Sequence, residues 1–118
     1  MNPYDVDIRG DLESAAKKAK VRLVPGWFPA GIPLPAAVYY LLSAAPADYF
    51  ANKPRAVRFS YYFAVRALDP EPLGAAAKAL CEGLGELYEA RRTQYDDAFD
   101  AERYVKRITF LFTVKLGG

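Results

Sequence analysis

Apolar residues recur along this chain first at helical spacing and then at strand spacing, and each change of period marks an element boundary. Ile8, Leu12, Ala15, Ala16 and Ala19 return every three or four positions, which predicts a helix over residues 5–20. Asp5, Asp7, Asp11 and Glu13 crowd its first half and Lys17, Lys18 and Lys20 its end, the polarity a helix dipole favours. Gly10 lowers helix propensity and offers Asp11 as a later start. Val21 to Val24 form a short apolar run stopped by Pro25-Gly26. The stretch from Trp27-Phe28 to Pro35 contains Pro29, Pro33 and Pro35, so it is neither helix nor central strand. It is unusually apolar for a loop, and is expected to pack back on its own domain or to be covered by another chain.

Ala36 to Leu42 read as a strand without alternation, a pattern expected of burial on both faces. Residues 43–55 are loop-like, broken by Pro46 and Pro54, with Tyr49-Phe50 near the tip. From Arg55 to Leu68 the alternation is clear. Val57, Phe59, Tyr61, Phe63 and Val65 take one side, and Arg58, Ser60, Tyr62, Ala64 and Arg66 the other. Asp69 as a candidate N-cap followed by Pro70 opens a second helix, with Leu73, Ala76, Ala77, Leu80, Leu84, Leu87 and Tyr88 as its stripe and Arg91-Arg92 as its close. Gly83 and Gly85 are expected where the helix approaches the sheet or a neighbouring chain. After a polar segment, Thr93 to Glu102, alternation returns. Tyr104, Ile108, Phe110, Phe112, Val114 and Leu116 lie on one side, interrupted by Lys106, and Arg103, Arg107, Thr109, Thr113 and Lys115 lie on the other.

The expected fold class is α+β: a single mainly antiparallel β-sheet with helices, one N-terminal and one between the last two strands, packed on one face. One domain over residues 1–118 is expected, with the two long strands as antiparallel neighbours. At 118 residues the chain is long enough to bury a core without a disulfide or metal staple. The polar, acidic start, Met1-Asn2-Pro3-Tyr4-Asp5, lacks the basic and apolar regions of a secretion signal. No run approaches the roughly 18 apolar residues of a membrane span, so cytosolic assembly without a membrane partner is expected.

Candidate chemistry is sparse. The chain has no histidine and one cysteine, which leaves out the usual zinc sites, the cysteine–histidine nucleophile pair and the commonest general base. Cys81, beside Leu80, reads as a small apolar core residue. Neither a catalytic site, a cofactor site nor a metal site is expected. Asp96, Asp97, Asp100 and Glu102 form the one carboxylate cluster, but Ala98 and Phe99 interrupt it and the glycine turn of a calcium loop is missing. A solvated acidic segment is the better reading. Arg58, Arg66, Arg103, Arg107 and Lys115, with Tyr62, make a basic and partly aromatic sheet face of the kind RNA-binding sheets use. The net charge is only +2 and the strand order is not that of the common βαββαβ module, so a solvated face or a subunit interface is preferred.

The layout of an N-terminal helix, a proline-rich stretch, the apolar strand Ala37-Val38-Tyr39-Tyr40-Leu41-Leu42, a long loop, the alternating strand Val57 to Arg66, a helix from Leu73 to Arg91 and a final strand Arg103 to Lys115 after an Asp-Asp segment resembles a known family. It is similar to the tail terminator, or tail-completion, proteins of long-tailed bacteriophages, over most of the chain's length. The resemblance implies a virion protein of the tail and neck that forms a homohexameric ring on the tail tube, ends tube growth and offers the surface on which the head docks. Its implied partners are further copies of itself, the tail tube protein and a head-completion or connector protein, with DNA only passing through the lumen. A closed ring needs two different patches per subunit. The candidates are Trp27 and Phe28, the Tyr49-Phe50 tip, and the acidic segment with Asp96, Asp97 and Asp100 facing the arginines Arg58, Arg66, Arg103 or Arg107 of a neighbour. Each of these aromatics serves equally to pack its own domain. A head-completion protein of the neck and a small nucleic-acid-binding module are the alternatives, with a small-molecule enzyme behind them.

Overall fold

The computed structural model describes residues 5–100 and 103–117, with Asp100 present through its backbone. Among the described residues the elements run α1 (Arg9–Lys18), β1 (Arg22–Pro25), β2 (Ala36–Ala47), β3 (Ala56–Arg66), α2 (Pro70–Gly85), β4 (Glu89–Asp100) and β5 (Arg103–Lys115). They build one sheet in the order β1-β2-β3-β5-β4. β1 lies parallel to β2, and every other pair is antiparallel.

The period-two pattern of β3 decides the architecture. Phe59, Tyr61, Phe63 and Val65 face the helices and are buried there with Ile108, Phe110 and Phe112 of the adjoining β5. Both helices lay their small and leucine-rich faces on this surface, Leu12, Ala15 and Ala16 from α1 and Leu73, Ala76, Ala77, Leu80 and Leu84 from α2. The α+β class, the mainly antiparallel sheet, the helices on one face and the β3–β5 pairing are therefore all found as expected.

The chain departs from expectation at four places, each for a local reason. α1 starts at Arg9 and not at Asp5, because the Arg9 amide donates to Asp7 Oδ1 at 3.0 Å before the helix begins. β2 runs on through Pro46 to Ala47, five residues past the expected end, with a register shift between Leu41 and Ser43. Proline is tolerated because this stretch is an edge, where no outward N–H is required. α2 ends at Gly85, and Asp69 takes the N-cap position in extended backbone without a side-chain cap bond. The segment expected to be helix end and polar loop is instead β4, paired with β5 from Glu89↔Thr113 to Asp100↔Arg103.

Two smaller points follow from the packing. An ideal Cβ on Gly83 would lie 3.3 Å from the Ala15 carbonyl oxygen, so this glycine serves the crossing of α1 and not the sheet. Gly85 meets nothing within 4 Å. Lys106, which breaks the apolar pattern of β5, sits on the helix side because Asp97 faces it there, with Nζ–Oδ1 at 2.7 Å.

Candidate functional site

The β2–β3 and β4–β5 hairpins turn at opposite ends of the sheet, since β3 begins level with the end of β5. The molecule is correspondingly long, 52 × 22 × 22 Å. At one end the expected tip residues Tyr49 and Phe50 are exposed, Phe50 at 66%, with the Arg55 guanidinium 5.2 Å from its ring centroid. At the other end stand Leu68, Phe99 and Tyr104, the last two in an edge-on ring contact at 5.2 Å. Sequence reasoning did not single out these three. The signal was there in Phe99, an apolar residue set in a run of carboxylates, but it carried no weight while the segment read as loop.

The proline-rich stretch divides between the two expected outcomes. Trp27 is 82% exposed. Phe28 packs on its own domain, its ring centroid 4.0 Å from the Arg66 guanidinium carbon. The expectation that β2 is buried on both faces holds from Ala36 to Tyr39 and fails beyond, where Tyr40, Leu41 and Leu42 are exposed. The reason is that β1 has only four residues and stops alongside Tyr39.

The basic side chains do share the helix-free side of the sheet, as their alternation predicted. Arg58, Tyr62 and Ala64 of β3 stand opposite Thr113, Thr109 and Arg107 of β5, and Arg66 continues the same alternation. Most of their charge is matched within the chain. Arg58 meets Asp48 at 2.9 Å, Arg107 meets Asp96 at 2.7 Å and Lys115 meets Glu89 at 3.3 Å. Asp96 and Asp97 were expected to face arginines of a neighbouring subunit. They find their partners, Arg107 and Lys106, on the adjacent strand of their own chain, because the β4–β5 register sets Asp96 opposite Arg107 and Asp97 opposite Lys106. The Asp100 side chain and Glu102 lie outside the described residues. Arg103 is exposed beside Leu68 and Tyr104.

These pairings account for the electrostatics. The hydrogen bond from Arg107, helped by Gln94, holds the Asp96 carboxyl below the usual carboxylate range, and Asp96 in return raises Arg107. The Asp97 partner raises Lys106. Asp7, gripped by Arg9 through its side chain and amide, is lowered to about 2. Burial pushes the Cys81 thiol up against the opposing pull of Arg92, the opposite of what activates a thiol nucleophile. Among the described residues no group of three or more Cys, Asp or Glu gathers as a metal site, and no helix is long and apolar enough to cross a membrane.

Two tyrosines tie the N-terminal helix to the body. Tyr39 donates to Glu13 Oε1 at 3.2 Å, and Tyr88 donates to Asp11. Burial first, and the carboxylate second, push both phenols from 10.0 to about 12. The folded state therefore favours the protonated phenols. Their contribution is fully present below pH 10 and is lost as pH rises through about 12. Urea midpoints measured across this window should fall more steeply for the native chain than for a Tyr39→Phe, Tyr88→Phe variant, and equal slopes would exclude the linkage.

Compared with known proteins, the chain matches no family model and no curated protein sequence.

Proposed function

We propose that this chain is a tail terminator: a structural subunit that assembles head to tail into a ring on a phage tail tube, ends tube growth and forms the surface on which the filled head docks. The observation that carries the reading is the pair of unlike apolar clusters at the two ends of the long sheet, Tyr49 and Phe50 at one and Leu68, Phe99 and Tyr104 at the other. A ring built by heterologous contacts uses two different patches on each subunit. Exposed aromatics within a polar surround are what protein interfaces use as anchors. The order of elements, which resembles that family, supports the same reading. Action by assembly, without a catalytic centre, also suits a chain lacking histidine.

The local neutralisation of Arg58, Arg107 and Lys115 weighs against a nucleic-acid module, since binding to phosphates draws on unmatched positive charge. DNA then only traverses the ring, and the specific partners are the tube protein, the head-completion protein and further copies of the chain.

Deletion of the gene from its phage should leave DNA-filled heads beside unjoined tails of uncontrolled length in electron micrographs of the lysate. Normally joined particles would refute the proposal. Leaking heads with tails of normal length would move the chain to the head side of the neck.

A further inference from the structure

β1 covers the edge of β2 only from Ala36 to Tyr39. The last bond on that side is the Gly26 amide to the Tyr39 carbonyl, at 3.1 Å. From Leu41 to Ala47, among the described residues, β2 pairs on its β3 side alone. Its outward N–H and C=O groups are thus open to another strand. Beside this stretch lies a cavity of about 670 Å³, floored by Tyr39, Phe59 and Tyr61 and walled by Pro25, Gly26, Asp5, Val6, Asp7 and Arg9.

The two edges of the sheet are defended differently. β4, the far edge, carries Glu89, Arg91, Arg92, Asp96, Asp97 and Asp100 among its 12 residues. β2 has no charged residue in 12, and it exposes Leu41 and Leu42 at 45% and 50%. Charges on an edge strand are the usual device against pairing with other chains. Pro46 and the irregularity between Leu41 and Ser43 shorten the open ladder on β2 without closing it.

We propose that this recess is a docking slot for one extended, uncharged segment of another polypeptide, which adds to the sheet beside Leu41–Ala47 in line with β1 and places alternate aliphatic side chains over Tyr39 and Tyr61. Single-strand occupancy follows from the step in the edge. The open stretch of β2 lies one strand spacing, about 4.8 Å, behind β1, so the flat edge of a folded sheet meets β1 first. A contact seven residues long also buries far less than the roughly 800 Å² per partner of a stable folded dimer. The lack of charge follows from the lining, which is uncharged apart from Asp5 and from Asp7 and Arg9, the latter two bound to each other at 2.8 Å. Main-chain bonds would supply the affinity and alternate side chains the selectivity, as in other strand-addition sites. The inference does not depend on the tail-capping reading.

The test is a titration of the isotope-labelled full chain with a capped, uncharged eight-residue peptide of alternating valine and threonine, followed by amide shifts and hydrogen exchange. Saturable shifts and new exchange protection confined to Leu41–Ala47 are expected. The same peptide N-methylated at alternate amides should not bind, and Leu41→Glu should weaken binding about tenfold or more while leaving the thermal midpoint within a few degrees. Absence of shifts at millimolar peptide, or equal binding of the N-methylated peptide, would overturn the proposal. So would concentration-dependent protection of Leu41–Ala47 in the free chain with a dimer mass by light scattering, which would put a second copy in the slot.

Discussion

Phe63→Ala should lower the unfolding free energy by about 3–5 kcal/mol, a large share of the roughly 5–15 kcal/mol typical of a domain. Phe63 lies on the central strand β3 with no exposed surface, between Tyr39 of β2 and Ile108 of β5. Its ring is stacked with Tyr39 at 6.2 Å and edge-on to Phe110 at 6.4 Å. Truncation removes both contacts and leaves a void that a sheet held by hydrogen bonds on both sides cannot close. Urea and thermal denaturation should show the loss, with a fall in midpoint temperature of about 10–20 °C. Leu68→Ala, at a side chain 78% exposed, is the matched control and should stay within about 0.5 kcal/mol. A Phe63→Ala loss below about 1 kcal/mol would mean that the aromatic cluster does not form the centre of the core.

Gly83→Leu sets two effects against each other. Within a helix, replacing glycine by leucine gains somewhat under about 1 kcal/mol of intrinsic propensity. Here the new Cβ would sit 3.3 Å from a backbone oxygen, that of Ala15, and 3.8 Å from the Ala15 Cβ, with the rest of the side chain still to place. A backbone carbonyl within a helix has nowhere to rotate, so α1 and α2 must separate. The buried contacts of Ala15, Ala16 and Leu84 would loosen with them. Overpacking of this kind costs about 1–3 kcal/mol, and the clash should win. Gly74→Ala on the same helix, where nothing lies within 4 Å, should be neutral to stabilising by up to about 1 kcal/mol. Should both substitutions stabilise the chain in urea titrations, the close crossing of the helices would be excluded.

Much of the fold was legible because the strongest patterns belong to the elements that build the core. β3 and β5 alternate because each has one face against the helices, and α1 and α2 carry apolar stripes for the same reason. Those patterns were enough for the α+β class, the single face of helices and the pairing of the two long strands. β4 escaped because a charged edge strand has little apolar periodicity of its own. Its conformation is imposed by the ladder it shares with β5, which overrides weak local preference. The same ladder decided the fate of the carboxylates. The sequence marked Asp96 and Asp97 as charges needing partners, but the identity of those partners depends on register, and register is a property of two strands.

The candidate surface divides along the same line. Trp27, Tyr49 and Phe50 could be singled out because large apolar residues in turn-forming stretches stand out against their neighbours. The sequence by itself determined the residue types: a histidine-free chain with one cysteine, an uncharged β2 and a heavily charged segment after α2. Tertiary structure alone decided that hairpin turns put apolar clusters at opposite ends, that Arg58 and Arg107 are matched internally, and that β1 stops short of the exposed half of β2. The reason is physical. Periodicity records which way a side chain faces within its own element, whereas exposure at an edge or an end depends on where neighbouring elements stop.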